Sequence, residues 1–122
     1  IGLTATLTTT YNEPFHVARK YAAIDHISGG RAAWNVVTSH NEKEAFLFGK
    51  EQHLQHANRY ARAEEFVDVV KQLWHSREAE SLVINKESGQ FYNMEHIHRV
   101  EHEGEHFKVN GYLDTTATPQ GS

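Results

Sequence analysis

The sequence contains no cysteine. That absence excludes a disulfide framework, a thiolate nucleophile and a thiolate metal ligand, and it fits a cytoplasmic protein. A basic stripe is missing too. The 12 Lys and Arg are outnumbered by 16 Asp and Glu, and a net charge of −4 argues against nucleic acid as a partner. No apolar run approaches the eighteen or so residues of a membrane span, so no membrane partner is expected. With 122 residues there is room for one domain but not for two independent cores. The chain opens on Ile1, and no signal-peptide pattern precedes its first strand-like segment. It reads as a processed protein or as a piece of a longer one.

What is present falls into two halves. Residues 2–10, GLTATLTTT, are rich in β-branched side chains and predict a strand with Thr4, Thr6 and Thr8 on one face and Ala5, Leu7 and Thr9 on the other. Asn12 is placed to cap a following helix, with Glu13 at the positive end of its dipole and Pro14 in its first turn. Val17, Ala18, Tyr21, Ala22 and Ile24 keep helical spacing to about residue 27, where Ser28-Gly29-Gly30 supplies a stop. A second strand is predicted from Arg31 to Thr38, its apolar run suited to cover on both sides. Asn41 to Glu44 resembles a capping box opening a short helix that ends at Gly49.

The clearest helix covers residues 56–75. Ala63, Phe66, Val67, Val70, Leu73 and Trp74 form its apolar stripe, and the charged face from Arg62 to Lys71 is read as solvated surface. Beyond Trp74 the pattern fades. Residues 76–90 are polar and aperiodic, residues 91–110 alternate as short strands turning at Glu103-Gly104, and the tail TTATPQGS reads as loop.

Strand, helix, strand within about forty residues implies parallel pairing through a right-handed crossover. Two βα units cannot close a sheet covered on both faces. The expectation is therefore a segment of a larger α/β protein, a barrel or a doubly wound sheet. Residues 1–75 would supply two βα units, and residues 76–118 an insertion with short strands.

Ligands in such folds sit at the carboxyl ends of the strands. The stretch GGRAAWNVVTSHN delivers Asn35, Thr38, Ser39, His40 and Asn41 there, beside the Thr8–Thr10 end of the first strand. His56 and Tyr60 share one face of the long helix's first turn, where free N–H groups favour an anion. Together these point to a phosphorylated cofactor. Each feature also has a plainer reading: Asn35 satisfying a buried backbone group, the threonines as β propensity, His56 and Tyr60 as a packing staple. His96, His98, His102 and His106 invite a metal reading, but Gly104 and the alternating pattern oppose a helix, and no HExxH accompanies them, so no metal is expected. Asp25 and His26 are read as a cap or a salt bridge.

The runs TTTYNEPFHVARKYAAIDHISGGRAAWNVVTS and HANRYARAEEFVDVVKQLW resemble the flavin-dependent monooxygenases of the bacterial-luciferase-like family, with GEHFKVNGYL and PQG continuing the likeness. The branch is that of nitrilotriacetate, EDTA, dibenzothiophene-sulfone and long-chain-alkane monooxygenases. The resemblance implies a (β/α)8 TIM barrel, of which this chain would be a central fragment. It also implies a two-component enzyme that uses reduced FMN from a separate flavin reductase, together with O2, to oxygenate a small organic substrate. Thr8 and Asn35 would lie near the isoalloxazine, Thr38 would contact the flavin, and His56 with Tyr60 would reach toward the ribityl phosphate. A homo-oligomer, dimer or tetramer, is implied as well. Catalytic residues are not assigned. The rivals are an inactive truncated remnant serving as a structural piece, and a deazaflavin-binding protein on the same barrel.

Overall fold

The computed structural model describes residues 1–121, apart from the side chains at 80, 83 and 84. Its first half runs β1 (Leu3–Thr8), α1 (Pro14–Ser28), β2 (Ala32–Val37), a single turn α2 (Glu44–Leu47) and the long helix α3 (His56–His75). β1 and β2 pair in parallel, from Leu3 opposite Ala32 to Thr8 opposite Val37, so both strands end at one rim. Period-two alternation sends Leu7 and Trp34 against the helices and leaves Thr6 and Asn35 on the opposite, exposed face. Cover on both sides was expected for β2. Among the described residues only its helix-facing side is covered, which is how a strand looks when its second face belongs to a barrel interior.

α1 and α3 lie side by side and bury Val17, Ala18, Tyr21 and Ala22 with Phe66, Val69, Val70 and Leu73. Each such side chain contributes on the order of 1–3 kcal/mol when taken fully out of water. The apolar stripe of α3 is turned slightly from expectation: Val69 is fully buried, while Val67 is only half-buried. Three polar tips lock helix to sheet, strand to strand and helix to helix. The Tyr21 hydroxyl donates to the Ala5 carbonyl at 2.7 Å, Trp34 Nε1 to Leu7 at 3.0 Å, and Trp74 Nε1 to Ala18 at 3.0 Å.

α1 ends as its sequence implies. Gly29 adopts φ 69°, and the Gly30 N–H reaches back to the Asp25 carbonyl at 2.8 Å, closing the helix with a left-handed residue. Its start differs. Glu13 flanks the helix with no side-chain cap, and Asn12 instead donates through Nδ2 to the Thr8 carbonyl at 2.8 Å. Pro14 carries no N–H, so the first turn has one fewer donor to satisfy, and Asn12 is free to tie down the end of β1. Asn41 likewise builds a tight turn, accepting the Lys43 N–H at 3.1 Å, rather than a capping box, because Glu44 already opens the helix.

The second half contains two antiparallel hairpins, β3 (Leu82–Asn85) with β4 (Gln90–Tyr92), and β5 (Val100–Glu103) with β6 (Lys108–Gly111). β3 of the first hairpin lies where no periodicity was read, and β4 opens the stretch expected to alternate as short strands. The second matches the expected turn, with the Gly104 N–H donating to Phe107 at 2.9 Å. This hairpin covers part of the α3 face read as solvated. Glu65 Oε2 accepts the His106 N–H at 2.9 Å, and the Arg62 guanidinium lies 4.4 Å from the Phe107 ring centroid. Asp25, read as a cap or salt bridge, is a buried acceptor with no ion pair among the described residues. It receives Gln120 Nε2 at 2.6 Å and the Ala32 N–H at 3.3 Å, tying the tail to the start of β2.

Candidate cofactor site at the strand rim

Beyond the ladder, β1 and β2 stay stitched together by threonines. Thr10 Oγ1 donates to the Thr38 carbonyl at 2.6 Å, and the Thr9 N–H donates to the Val37 carbonyl at 2.9 Å. Above this seam lies an open cavity of about 960 Å³ whose wall includes Thr8, Thr38, Ser39, Tyr11, Phe48 and Tyr60. That size accommodates a ligand of mononucleotide dimensions. A smaller groove of about 320 Å³, lined by Trp34, Val36, Val67 and Trp74, lies against β2 away from the rim.

Three of the five residues expected to bind a cofactor, Thr8, Thr38 and Tyr60, share the rim cavity. Asn35 stands one step below it on the same face as Thr6 and Thr8, its Nδ2 donating to Thr6 Oγ1 at 3.1 Å. It points away from the helices and is exposed, so it does not serve a buried backbone group. His56 is exposed at the start of α3, with its ring 4.6 Å from that of Tyr60, and it does not line the cavity. The helix end between them has no side-chain cap and no acid in its first turn. Its free N–H groups and dipole, with Arg59 nearby in sequence, suit a phosphate.

Sequence reasoning placed Ser39 in the polar cluster at this rim but did not single out the residues that brace it, Tyr11, His53 and Arg59. Ser39 is buried with φ 57°, the one non-glycine in the left-handed region among the described residues. Its carbonyl accepts from His53 Nε2 and from Arg59 Nη1, and its hydroxyl bonds Thr8 Oγ1 at 2.7 Å. Because His53 Nε2 donates to a carbonyl, Nδ1 is left as the acceptor for the Tyr11 hydroxyl at 2.5 Å. Tyr11 stacks on Phe48, ring centroids 4.3 Å apart and planes 3° from parallel. Burial raises the Tyr11 phenol above its ordinary value, the Glu44 charge adds to this, and Arg59 partly offsets it. No spacing motif announces this chain, since its members come from four separate segments. The polar run after Val37 was the single hint.

The histidines of the second half engage carboxylates. His96 Nδ1 and His98 Nε2 approach Glu78 Oε2 at 3.0 and 2.8 Å, and His102 Nε2 lies 3.5 Å from Glu65 Oε1. Among the described residues no group of three potential ligands is placed to hold a metal ion.

Comparison with known proteins bears on the whole segment. A family model described as luciferase-like monooxygenase matches residues 1–121. The chain is 55% identical over 121 residues to N-acetyl-S-(2-succino)cysteine monooxygenase of Bacillus subtilis, covering 99% of this chain and 27% of that protein. It is 53% identical to nitrilotriacetate monooxygenase component A of Aminobacter aminovorans, with the same two coverages. Among solved structures, a riboflavin lyase with modified FMN and riboflavin superposes with a TM-score of 0.91 at 36% identity, covering all of this chain and 27% of that one. A long-chain alkane monooxygenase gives a TM-score of 0.91 at 33% identity, covering 98% of this chain and 28% of its own. The chain thus spans about a quarter of the length of the relatives it matches. The fold is part of the α/β barrel those proteins share, and the chain belongs to the luciferase-like monooxygenase family.

Proposed function

We propose that these residues form the central part of an FMN-dependent, two-component monooxygenase barrel, and that the rim cavity holds the flavin. The observation carrying this reading is the convergence of Thr8, Thr38 and Tyr60 on one cavity at the common end of two parallel strands, next to an uncapped, acid-free helix N-terminus. Bound reduced FMN supplies the electrons that activate O2, so that one oxygen atom enters a small organic substrate and the other leaves as water. The protein's share is orientation and exclusion of solvent. Thr8 and Thr38 offer uncharged hydroxyls to a polar heterocycle, and Asn35 extends the same polar face beneath it. Tyr60 and His56 stand at the helix end suited to the ribityl phosphate.

The donor set fits the group. A flavin needs hydrogen-bond partners along one edge, a wall against its plane and a cationic or dipolar site for phosphate, and the rim offers all three without a carboxylate at the helix end. The electrons come from a separate flavin reductase, as the words component A in the name of one relative suggest. We place the protein in the cytoplasm as a dimer or tetramer; no described helix is long and apolar enough to cross a membrane.

The test uses the full-length protein that carries this segment. Titration with oxidised and reduced FMN, then assay with a flavin reductase, NADH and O2 across small organic substrates, should show FMN binding and substrate-dependent oxygen uptake. Tighter binding of a deazaflavin than of FMN would overturn the reading in favour of a deazaflavin protein. Failure of both would leave a structural remnant.

A further inference from the structure

We propose that Ser39 is a positioning residue that holds Thr8 as a hydrogen-bond donor toward an acceptor atom of the ligand in the rim cavity, a carbonyl oxygen or ring nitrogen of the isoalloxazine. This rests on the flavin reading above.

The argument is one of proton accounting. A threonine hydroxyl has one proton and two lone pairs. Thr8 Oγ1 lies 3.2 Å from the Thr10 N–H, which can only donate, and 2.7 Å from Ser39 Oγ. Between two hydroxyls either could be the donor, and burial decides. Both residues line the cavity, but Ser39 is buried while Thr8 is half-buried, and the Ser39 hydroxyl has no other partner among the described residues, so Ser39 has the poorer access to a replacement acceptor and gives its proton to Thr8. Thr8 faces the cavity. Ser39 therefore donates, both lone pairs of Thr8 are occupied, and the Thr8 proton is left for whatever fills the cavity. The rim then reads an acceptor and rejects a donor at that point.

The backbone of Ser39 makes the same case. A serine at φ 57° sits where glycine is at ease and other residues pay about 1 kcal/mol or more. If only the turn mattered, glycine would serve better. The conformation is held from outside, by His53 and Arg59 on the carbonyl, and its result is to aim the hydroxyl at Thr8. Retaining a side chain at such a place makes sense if the hydroxyl is what is needed.

A double-mutant cycle on FMN binding to the full-length protein tests this. Ser39→Gly suits the left-handed backbone and removes the side chain with its hydroxyl. Thr8→Val removes the donor at nearly constant shape. Each should weaken FMN binding about 3- to 10-fold and displace the visible absorption band of bound FMN in the same direction. The double variant should match Thr8→Val alone within about twofold, because Ser39 acts only through Thr8. A purely structural Ser39 would give effects that multiply, and that result overturns the inference. So does unchanged binding and spectrum in Ser39→Gly. Should Ser39→Gly fail to fold, Ser39→Ala replaces it in the cycle, since it removes the hydroxyl alone while His53 and Arg59 still hold the backbone. The outcomes separate cleanly. Loss of FMN binding in the unmodified protein removes the flavin reading, whereas binding that ignores Ser39 removes only this step.

Discussion

The two halves of the molecule are held together by different means. In residues 1–75 two helices share a continuous apolar seam, and the sheet leans on it through Leu7 and Trp34. In residues 76–121 the strands form only two-stranded hairpins; Val100, Phe107 and Leu113 reach into the core of the first half, Phe107 edge-on to Phe66 at 5.5 Å, and polar ties such as the His106 N–H on Glu65 and Thr116 Oγ1 with His26 Nε2 add to this. A two-stranded hairpin is marginal by itself. The second half therefore depends on the first, while the first carries its own core. The rim belongs entirely to the first half.

The change that should break this distinction is at the residue both halves use. Phe66 is fully buried, packs at 5.8 Å against Trp34 and meets Phe107. Phe66→Ala should cost about 3–5 kcal/mol and loosen both halves in one transition. Denaturant unfolding followed by Trp fluorescence and by hydrogen exchange would check that the two probes shift together.

Gly104→Ala should sharpen the contrast instead. A Cβ there would stand 1.7 Å from Glu65 Oε1 and 2.8 Å from His102 Nε2, while Glu65 is held by the His106 N–H. Something must shift, at about 1–3 kcal/mol, and the damage should stay in the β5–β6 hairpin. Exchange protection should fall over residues 100–111 and persist in α1. Loss of protection in α1 would mean that the hairpin is structural to the first half after all.

The same asymmetry explains what the sequence disclosed. One-sided burial imprints a period, and α1 and α3 were readable from it; β1 was readable from its β-branched content and β2 from its apolar run, and the strand–helix–strand order gave their parallel arrangement. The β3–β4 hairpin has no deep face to imprint one; Phe91 and Tyr92 are exposed. Asn12 was misread as a cap because an amide that bonds a strand end looks, in sequence, like an amide that bonds a helix start, and Asn41 because one that closes a turn just before a helix looks the same. At the rim, Thr8, Thr38 and Tyr60 were legible because strand ends and a helix start announce themselves. Ser39 was named there among its polar neighbours, but its relay to His53 and Tyr11 was not, since a relay across separate segments leaves no spacing.

A smaller effect is expected at the tie between the halves. Asp25 accepts the Gln120 N–H and side chain and the Ala32 N–H. Asp25→Asn replaces one acceptor by a donor facing a donor, and should cost about 1 kcal/mol while freeing the tail. Limited proteolysis would show faster cleavage near residues 114–121 with the helical core intact; unchanged cleavage would mean that the tail is held by other contacts.

The smallest effect is confined to the excursion and depends on pH. Hydrogen bonds from His98 and then His96 hold the Glu78 carboxyl below its ordinary value of 4.5. For an acid lowered on folding, the stabilising share is present above the unfolded value and is lost as pH falls through the lowered one. The Glu78 N–H bonds the His96 carbonyl and the His98 N–H bonds the Ser76 carbonyl, so these two amides report on the tie. Their exchange, corrected for intrinsic pH dependence, should hold steady down to the ordinary carboxyl range and accelerate only below it. In Glu78→Gln that acceleration should vanish, with α3 unaffected in both proteins. Acceleration that begins well above the ordinary carboxyl value of 4.5 would show that the Glu78 carboxylate does not set the tie.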